Sequence, residues 1–225
     1  MNAPAVHPDY LRPTTFVDAD HPAVIAFAER HRSPEGPVAT AVALFYAVRD
    51  GYRYNPYDVS LEPAGYRASG TLQRSFERGG HCIDKALLLA AAARAVGIPS
   101  RLHFANVRNH IGTAKLEAVL GTDLLVFHGY TELYLEGRWV AATPAFNKEL
   151  CAKLGVPPLD WDGRSDAIFQ AFAPGGTKFM EYVEDHGTFA DLPFARMIAE
   201  WQKHYPKVRS GTWPQRMEAL AATES

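Results

Sequence analysis

A cysteine that follows two glycines and opens a long apolar run is the arrangement in this sequence best suited to covalent chemistry. Gly79-Gly80-His81-Cys82-Ile83-Asp84-Lys85 leads into Ala86 to Val96 without a helix breaker, and Gly97-Ile98-Pro99 follows. The pattern predicts a helix with Cys82 in its first turn, ended by Gly97 and kept from continuing by Pro99. Ala86, Leu87, Leu88, Leu89, Ala90, Ala93, Ala95 and Val96 leave almost no polar face, so this helix belongs at the centre of a domain. A thiol at a helix N-terminus meets unpaired backbone N–H groups and the positive end of the helix dipole. Both favour the thiolate, which is the nucleophile. Free cysteines more often serve as small buried hydrophobes. Packing alone, however, does not ask for Gly-Gly, His81, Asp84 and Lys85 around the sulfur, and these flanks favour a nucleophilic Cys82.

Gly80-His81-Cys82-Ile83-Asp84, the Leu/Ala helix, and Arg94-Ala95-Val96-Gly97-Ile98-Pro99-Ser100-Arg101 resemble the cysteine segment of the transglutaminase-like superfamily. There a G-x-C-x-D start leads through a helix into an R-x-x-G-I-P-x-R turn and strand. With a later His-bearing hairpin, the resemblance covers about a third of the chain. It implies an α+β, papain-like fold in which a buried, Cys-bearing helix packs on an antiparallel β-sheet. It also implies a thiol that attacks a carboxamide or peptide carbonyl to give a thioacyl-enzyme, with hydrolysis favoured over transfer to an amine. In the family the His lies on one strand and an Asp on the next, after a Trp and before a Pro. His128, Trp139 and Pro144 match, so His128 is the implied base. Thr143 stands where the Asp belongs, and its hydroxyl can accept a hydrogen bond but brings no charge to stabilise an imidazolium. Asn147, past Pro144 and of the same parity, offers a papain-like alternative in which an amide oxygen orients the ring; a helix cap before Lys148-Glu149-Leu150 explains it equally well. The backbone N–H of Cys82 is the expected oxyanion donor, ahead of Gln73.

These groups need elements to position them. Residues 1–19, with three prolines, read as an extended arm. Asp20-His21-Pro22 predicts a capped helix ending near His31, and Pro37 to Arg49 a second one. Ser69 reads as a cap before a short helix. After the central helix, Leu102 to Ala105 alternates as a strand, a loop carries Asn106, Arg108, Asn109 and His110, and Thr113 to Leu120 forms a short helix. Leu125 to Leu135 then reads as a strand with His128, Tyr130, Glu132 and Tyr134 on one face and Phe127, Gly129, Thr131, Leu133 and Leu135 on the other. Glu136-Gly137 makes a two-residue turn that sets Leu135 opposite Arg138 and Tyr130 opposite Thr143. Ala167–Phe172 and Lys178–Val183 read as two further strands, the second ended by Asp185-His186-Gly187. Pro193 to Tyr205 reads as an amphipathic helix with Phe194, Met197, Ile198 and Trp201 inward, and 209–225 as a mobile tail.

The 225 residues suggest one domain over 1–208, helical over 20–97, β-rich over 100–185 and closed by the helix at 193–205. An apolar fraction of 47% supports a real core, and a formal charge of -2 gives no electrostatic reason to expect nucleic acid or an anionic membrane as partner. No apolar run reaches the length of a membrane span, and the two cysteines suggest no disulfide framework, so the expected location is cytoplasmic. His81, His103, His110 and His128 lack compact metal-ligand spacing, and neither metal nor cofactor is expected. Cys151 reads as packing, and Glu132 and Asp84 need basic partners. The expected partner is a protein, peptide or small amide substrate. Two other functions compete: a binding module that has kept the fold and lost turnover, and acetyl transfer from coenzyme A, for which no sequence feature speaks.

Overall fold

The computed structural model describes residues 7–110, 114–168 and 180–211. In chain order these hold α1 (Pro22–Arg30), α2 (Pro37–Gly51), α3 (Ala68–Leu72), α4 (Cys82–Ala95), β1 (Ser100–Asn109), α5 (Ala114–Leu120), β2 (Leu124–Leu135), β3 (Arg138–Ala142), α6 (Lys148–Leu154), β4 (Met180–Phe189), α7 (Phe194–His204) and α8 (Pro206–Arg209). The four strands form one antiparallel sheet in the order β3-β2-β1-β4. Helix α4 lies against β2 on one side and is wrapped by α1, α2 and α3 on the other. Its residues Ile83 to Arg94 are all buried, as its lack of a polar face requires.

From Thr131 to Leu135 the alternation read along β2 holds. Thr131 points to α4 and its Oγ1 donates to the Ala86 carbonyl at 2.9 Å, while Leu133 and Leu135 join the core. On the opposite face Glu132 takes the Arg101 guanidinium at 2.7 Å and His103 Nδ1 at 2.5 Å, and His103 Nε2 meets Asp185 at 2.7 Å. Burial alone would lower the His103 pKa, but the two carboxylates raise it. The hairpin register is as expected, with Leu135 opposite Arg138 and Tyr134 opposite Trp139.

Several boundaries differ from the sequence expectation. His21, not Asp20, caps α1, its Nδ1 accepting the Ala23 N–H at 3.2 Å. Ser69 lies inside α3, where its hydroxyl donates to Asp18 at 2.5 Å. Asn106 to Asn109 continue β1 rather than forming a loop, because β4 pairs with them on the far edge. β4 likewise runs through His186-Gly187 to Phe189, absorbing two register shifts on the way. β3 stops at Ala142, so the pairing of Tyr130 with Thr143 is not made; the Thr143 N–H turns to the Ala167 carbonyl at 2.9 Å. The proline-rich arm is tied down by Asp191, whose carboxylate accepts the N–H groups of Thr15, Phe16 and Val17. Of the expected strand over 167–172, Ala167 makes an isolated bridge to Ala142, while 169–172, the start of the next strand over 178–179 and the tail beyond 211 lie outside the described residues.

Lys85, one turn into α4, has no exposed surface. Its Nζ donates to the carbonyls of Arg49 at 2.8 Å, Tyr52 at 2.8 Å and Ala145 at 2.7 Å. Burial pushes its pKa down to about 7, whereas three carbonyl acceptors favour the ammonium, the only form with three N–H bonds to give. Lys85→Met should leave three buried acceptors unsatisfied and lower stability by about 3 kcal/mol or more, measured as a fall in the urea midpoint.

Candidate active site

The Gly79-Gly80 approach to Cys82 is stitched to the segment beneath it. Gly80 N–H donates to Arg53 O at 3.0 Å, and Asn55 N–H donates to Gly80 O at 3.1 Å. Gly79 sits at φ +62°, and a Cβ there would collide with the Arg53 carbonyl, so no other residue fits. His81 then caps α4: its Nδ1 accepts the Ile83 N–H at 3.1 Å while the Asp84 carboxylate accepts the His81 N–H at 3.1 Å. Asp84, almost wholly buried, is paired bidentately by Arg74 at 2.7 and 3.2 Å. The flanks of Cys82 therefore build the helix cap that aims the sulfur, with Arg74 supplying the partner that Asp84 needs.

Cys82 is the first residue of α4 and keeps part of its surface exposed. The Gly129 N–H of β2 comes near enough to its sulfur to favour the thiolate, as do the N–H groups of Ile83 and Cys82 itself. That approach depends on the missing side chain at 129, where a Cβ would lie 2.9 Å from the Phe104 ring and 3.5 Å from Ile83 Cα. His128 is the next residue along β2, nearly fully buried, and it lines the same cavity as Cys82. Burial pushes the Cys82 pKa up to about 11, against the Gly129 N–H, which lowers it. Burial, with a smaller contribution from His81, pushes His128 down to about 3. Both shifts favour a neutral thiol beside a neutral imidazole at rest, against the thiolate expected from the helix N-terminus alone, because desolvation opposes both charges.

Just before His128 the strand carries a bulge. Ala105 pairs with His128 and Val107 with Leu125, so Val126 and Phe127 together face Asn106. Phe127 adopts φ +63°, an unfavourable backbone for a bulky residue. Buried side chains hold it there. Tyr205 Oη accepts the Val126 N–H at 2.7 Å, Trp201 Nε1 donates to the Val126 carbonyl at 2.9 Å, and Asn106 Oδ1 accepts the Phe127 N–H at 2.9 Å. The Phe127 ring packs between Phe104 and His186, each 4.7 Å away between centroids. The inward stripe of α7 made Trp201 legible as a core residue, but nothing in the sequence marked it and Tyr205 as a clamp on the strand that carries His128.

The two residues considered for orienting His128 have other surroundings. Asn147 is fully buried, its Oδ1 accepting the Tyr54 N–H at 2.9 Å and its Nδ2 donating to Glu149 at 2.6 Å. The oxygen that a papain-like role would aim at the imidazole is thus taken by the backbone of Tyr54. Asn147 does occupy the cap position of α6, but its side chain makes no capping bond. Thr143 is buried at the end of β3, and its hydroxyl makes no hydrogen bond among the described residues. Gln73 is exposed at the end of α3. Cys151 packs with Ala145, Phe146, Val156 and Met180, as expected. The histidines are dispersed: His81 and His128 border the cavity, His103 lies on the other face of the sheet, and His110 stands 3.5 Å from Glu181. Among the described residues no helix is long and apolar enough to cross a membrane.

No curated protein matches this sequence. Among solved structures, a Cytophaga hutchinsonii protein described as a putative cysteine protease superposes with a TM-score of 0.50 at 17% identity, over 84% of this chain and 48% of the other. The chain thus spans about half the length of that relative, and the likeness is one of fold. An arylamine N-acetyltransferase from Mycobacterium abscessus aligns over 60% of this chain and 46% of its own at 17% identity, with a TM-score of only 0.34. Residues 25–144, more than half of the chain, match the sequence model of the transglutaminase-like superfamily. This span contains Cys82, His128 and the helix and strands that carry them, and the chain belongs to the transglutaminase-like superfamily.

Proposed function

We propose that this protein is a thiol enzyme that acts on a carboxamide or peptide carbonyl through a thioacyl intermediate on Cys82. The observation that carries the reading is that Cys82 and His128 border one cavity, where Gly129, the residue after His128, passes close to Ile83 at the start of α4. A neutral thiol beside a neutral imidazole is the right starting form for general-base catalysis. The thiol proton passes to His128 as the C–S bond forms, and the carbonyl oxygen becomes an oxyanion at the α4 N-terminus, where the Cys82 N–H is the donor. Collapse breaks the C–N bond, and His128 returns the proton to the leaving amine. Water, deprotonated by His128, then releases the acid and regenerates the thiol. We favour water as acceptor because the half-buried Tyr54, Pro56, Val59 and Leu125 leave the cavity open towards solvent.

Two observations favour a second reading, a binding module without turnover. Thr143 replaces the carboxylate that would stabilise an imidazolium, and the resting thiol is raised rather than lowered.

Mixing with p-nitrophenyl butyrate separates the two. An enzyme gives a burst approaching one p-nitrophenolate per chain and a butyryl mass on the Cys82 peptide, with slower turnover afterwards. The burst should vanish in Cys82→Ala and slow by about a hundredfold or more in His128→Ala. Glycinamide that diverts the acyl group from acid to amide would show transfer instead of hydrolysis. A chain that never acylates is the binding module. In a Cys151→Ser background, iodoacetamide labelling of Cys82 should keep rising by about tenfold per pH unit from pH 8 to 10, because the thiolate fraction is still growing. Levelling off below pH 8 would contradict the neutral resting pair.

A further inference from the structure

The cavity beside Cys82 also has a size and a lining of its own. It measures about 50 Å³. An apolar cavity of about 150 Å³ accommodates benzene, so this one takes a group of about two to four carbons. Leu116 and Leu120 of α5, Ile83 and Trp201 are buried and form its floor; Val59 and Leu125, half exposed, lie at its mouth with Cys82. No Asp, Glu, Lys or Arg among the described residues lines it. The two histidines that do, His81 and His128, are both held towards the neutral form by burial. A charged group entering this space would lose its hydration and find no counter-charge, a cost larger than any apolar contact could offset. Trp201 and Tyr205, on the same wall, lie outside residues 25–144 that match the superfamily, so this wall is contributed by the chain's own C-terminal helices.

We propose that the cavity is the acyl subsite of Cys82 and selects a short, uncharged aliphatic acyl group of about two to four carbons, with Leu116 and Leu120 setting its depth. This rests on the thiol-enzyme reading for the chemistry but not for the binding. The acyl carbon sits at the sulfur, its alkyl chain runs into the floor between α5 and α7, and the leaving amine remains on the solvent side.

The test uses two readouts on the full chain carrying Cys151→Ser. First, p-nitrophenyl acetate, butyrate, octanoate and monosuccinate are compared by the rate of Cys82 acylation, followed by intact mass and corrected for each ester's spontaneous hydrolysis. Acetate and butyrate should exceed octanoate and monosuccinate by at least about tenfold. Leu120→Ala should move the preference towards octanoate, and Leu116→Phe should keep acetate while losing butyrate; near-ultraviolet circular dichroism checks that both are folded. Second, butyramide should slow iodoacetamide labelling of Cys82 and succinamate should not, which reads binding without turnover. Equal acylation by all four esters, or a preference for octanoate or monosuccinate, overturns the acyl subsite and leaves the thiol-enzyme reading standing. Protection by butyramide without acylation by any ester supports the subsite and overturns the enzyme. Absence of both overturns the subsite.

Discussion

The Lys85 ammonium is the joint on which the site depends. It is enclosed by protein and satisfied by three backbone carbonyls, two from the end of α2 and the turn after it and one from the segment after β3. A buried cation without a carboxylate is costly unless every N–H is used. Here each acceptor comes from chain that must itself be placed: Tyr52 leads directly to the Arg53–Asn55 stretch that stitches Gly80, and Ala145 leads to Asn147, whose amide holds Tyr54. The same ammonium therefore ties together the helix that carries Cys82, the floor of the glycine turn before it and the exit of the His128 hairpin. Asn147, the candidate for orienting His128, serves this framework.

On the other side of the site the constraint is a strained strand. The bulge at Val126-Phe127 leaves backbone groups that the sheet ladder cannot satisfy, and a left-handed Phe127 would relax if left alone. Trp201 and Tyr205 take both polar groups of Val126, and Asn106 takes the Phe127 N–H. The residue that follows is His128. The superfamily span thus carries Cys82 and His128, while helices beyond it hold the His128 strand in shape and wall the cavity beside the sulfur.

Burial sets the chemistry of the resting pair. A helix N-terminus and the Gly129 N–H favour a thiolate, yet the same packing that brings these donors close leaves the sulfur only partly exposed to the water that would solvate the anion. Desolvation acts on the imidazole in the opposite sense, and the two shifts keep the proton on sulfur. Such a thiol is shielded from casual oxidation and alkylation, since both need the thiolate.

Much of this was legible in the linear chain because local rules govern it. The Gly-Gly turn, the breaker-free apolar run, the Gly-Ile-Pro stop and the two-residue Glu136-Gly137 turn specify α4, its Cys82 terminus and the β2–β3 register through backbone sterics and periodicity. The pairing needed by Asp84 followed from the cost of burying a charge, although its partner, Arg74, did not. What only the tertiary structure decided are the features made by groups distant along the chain. Asn106 to Asn109 became strand because β4 lies beside them, Asn147 was claimed by Tyr54, and Tyr205 reached 79 residues back to Val126. The protonation state of Cys82 is of this kind as well. Sequence places a thiol at a helix N-terminus, but desolvation depends on everything packed around the sulfur, and that is a property of the folded chain alone.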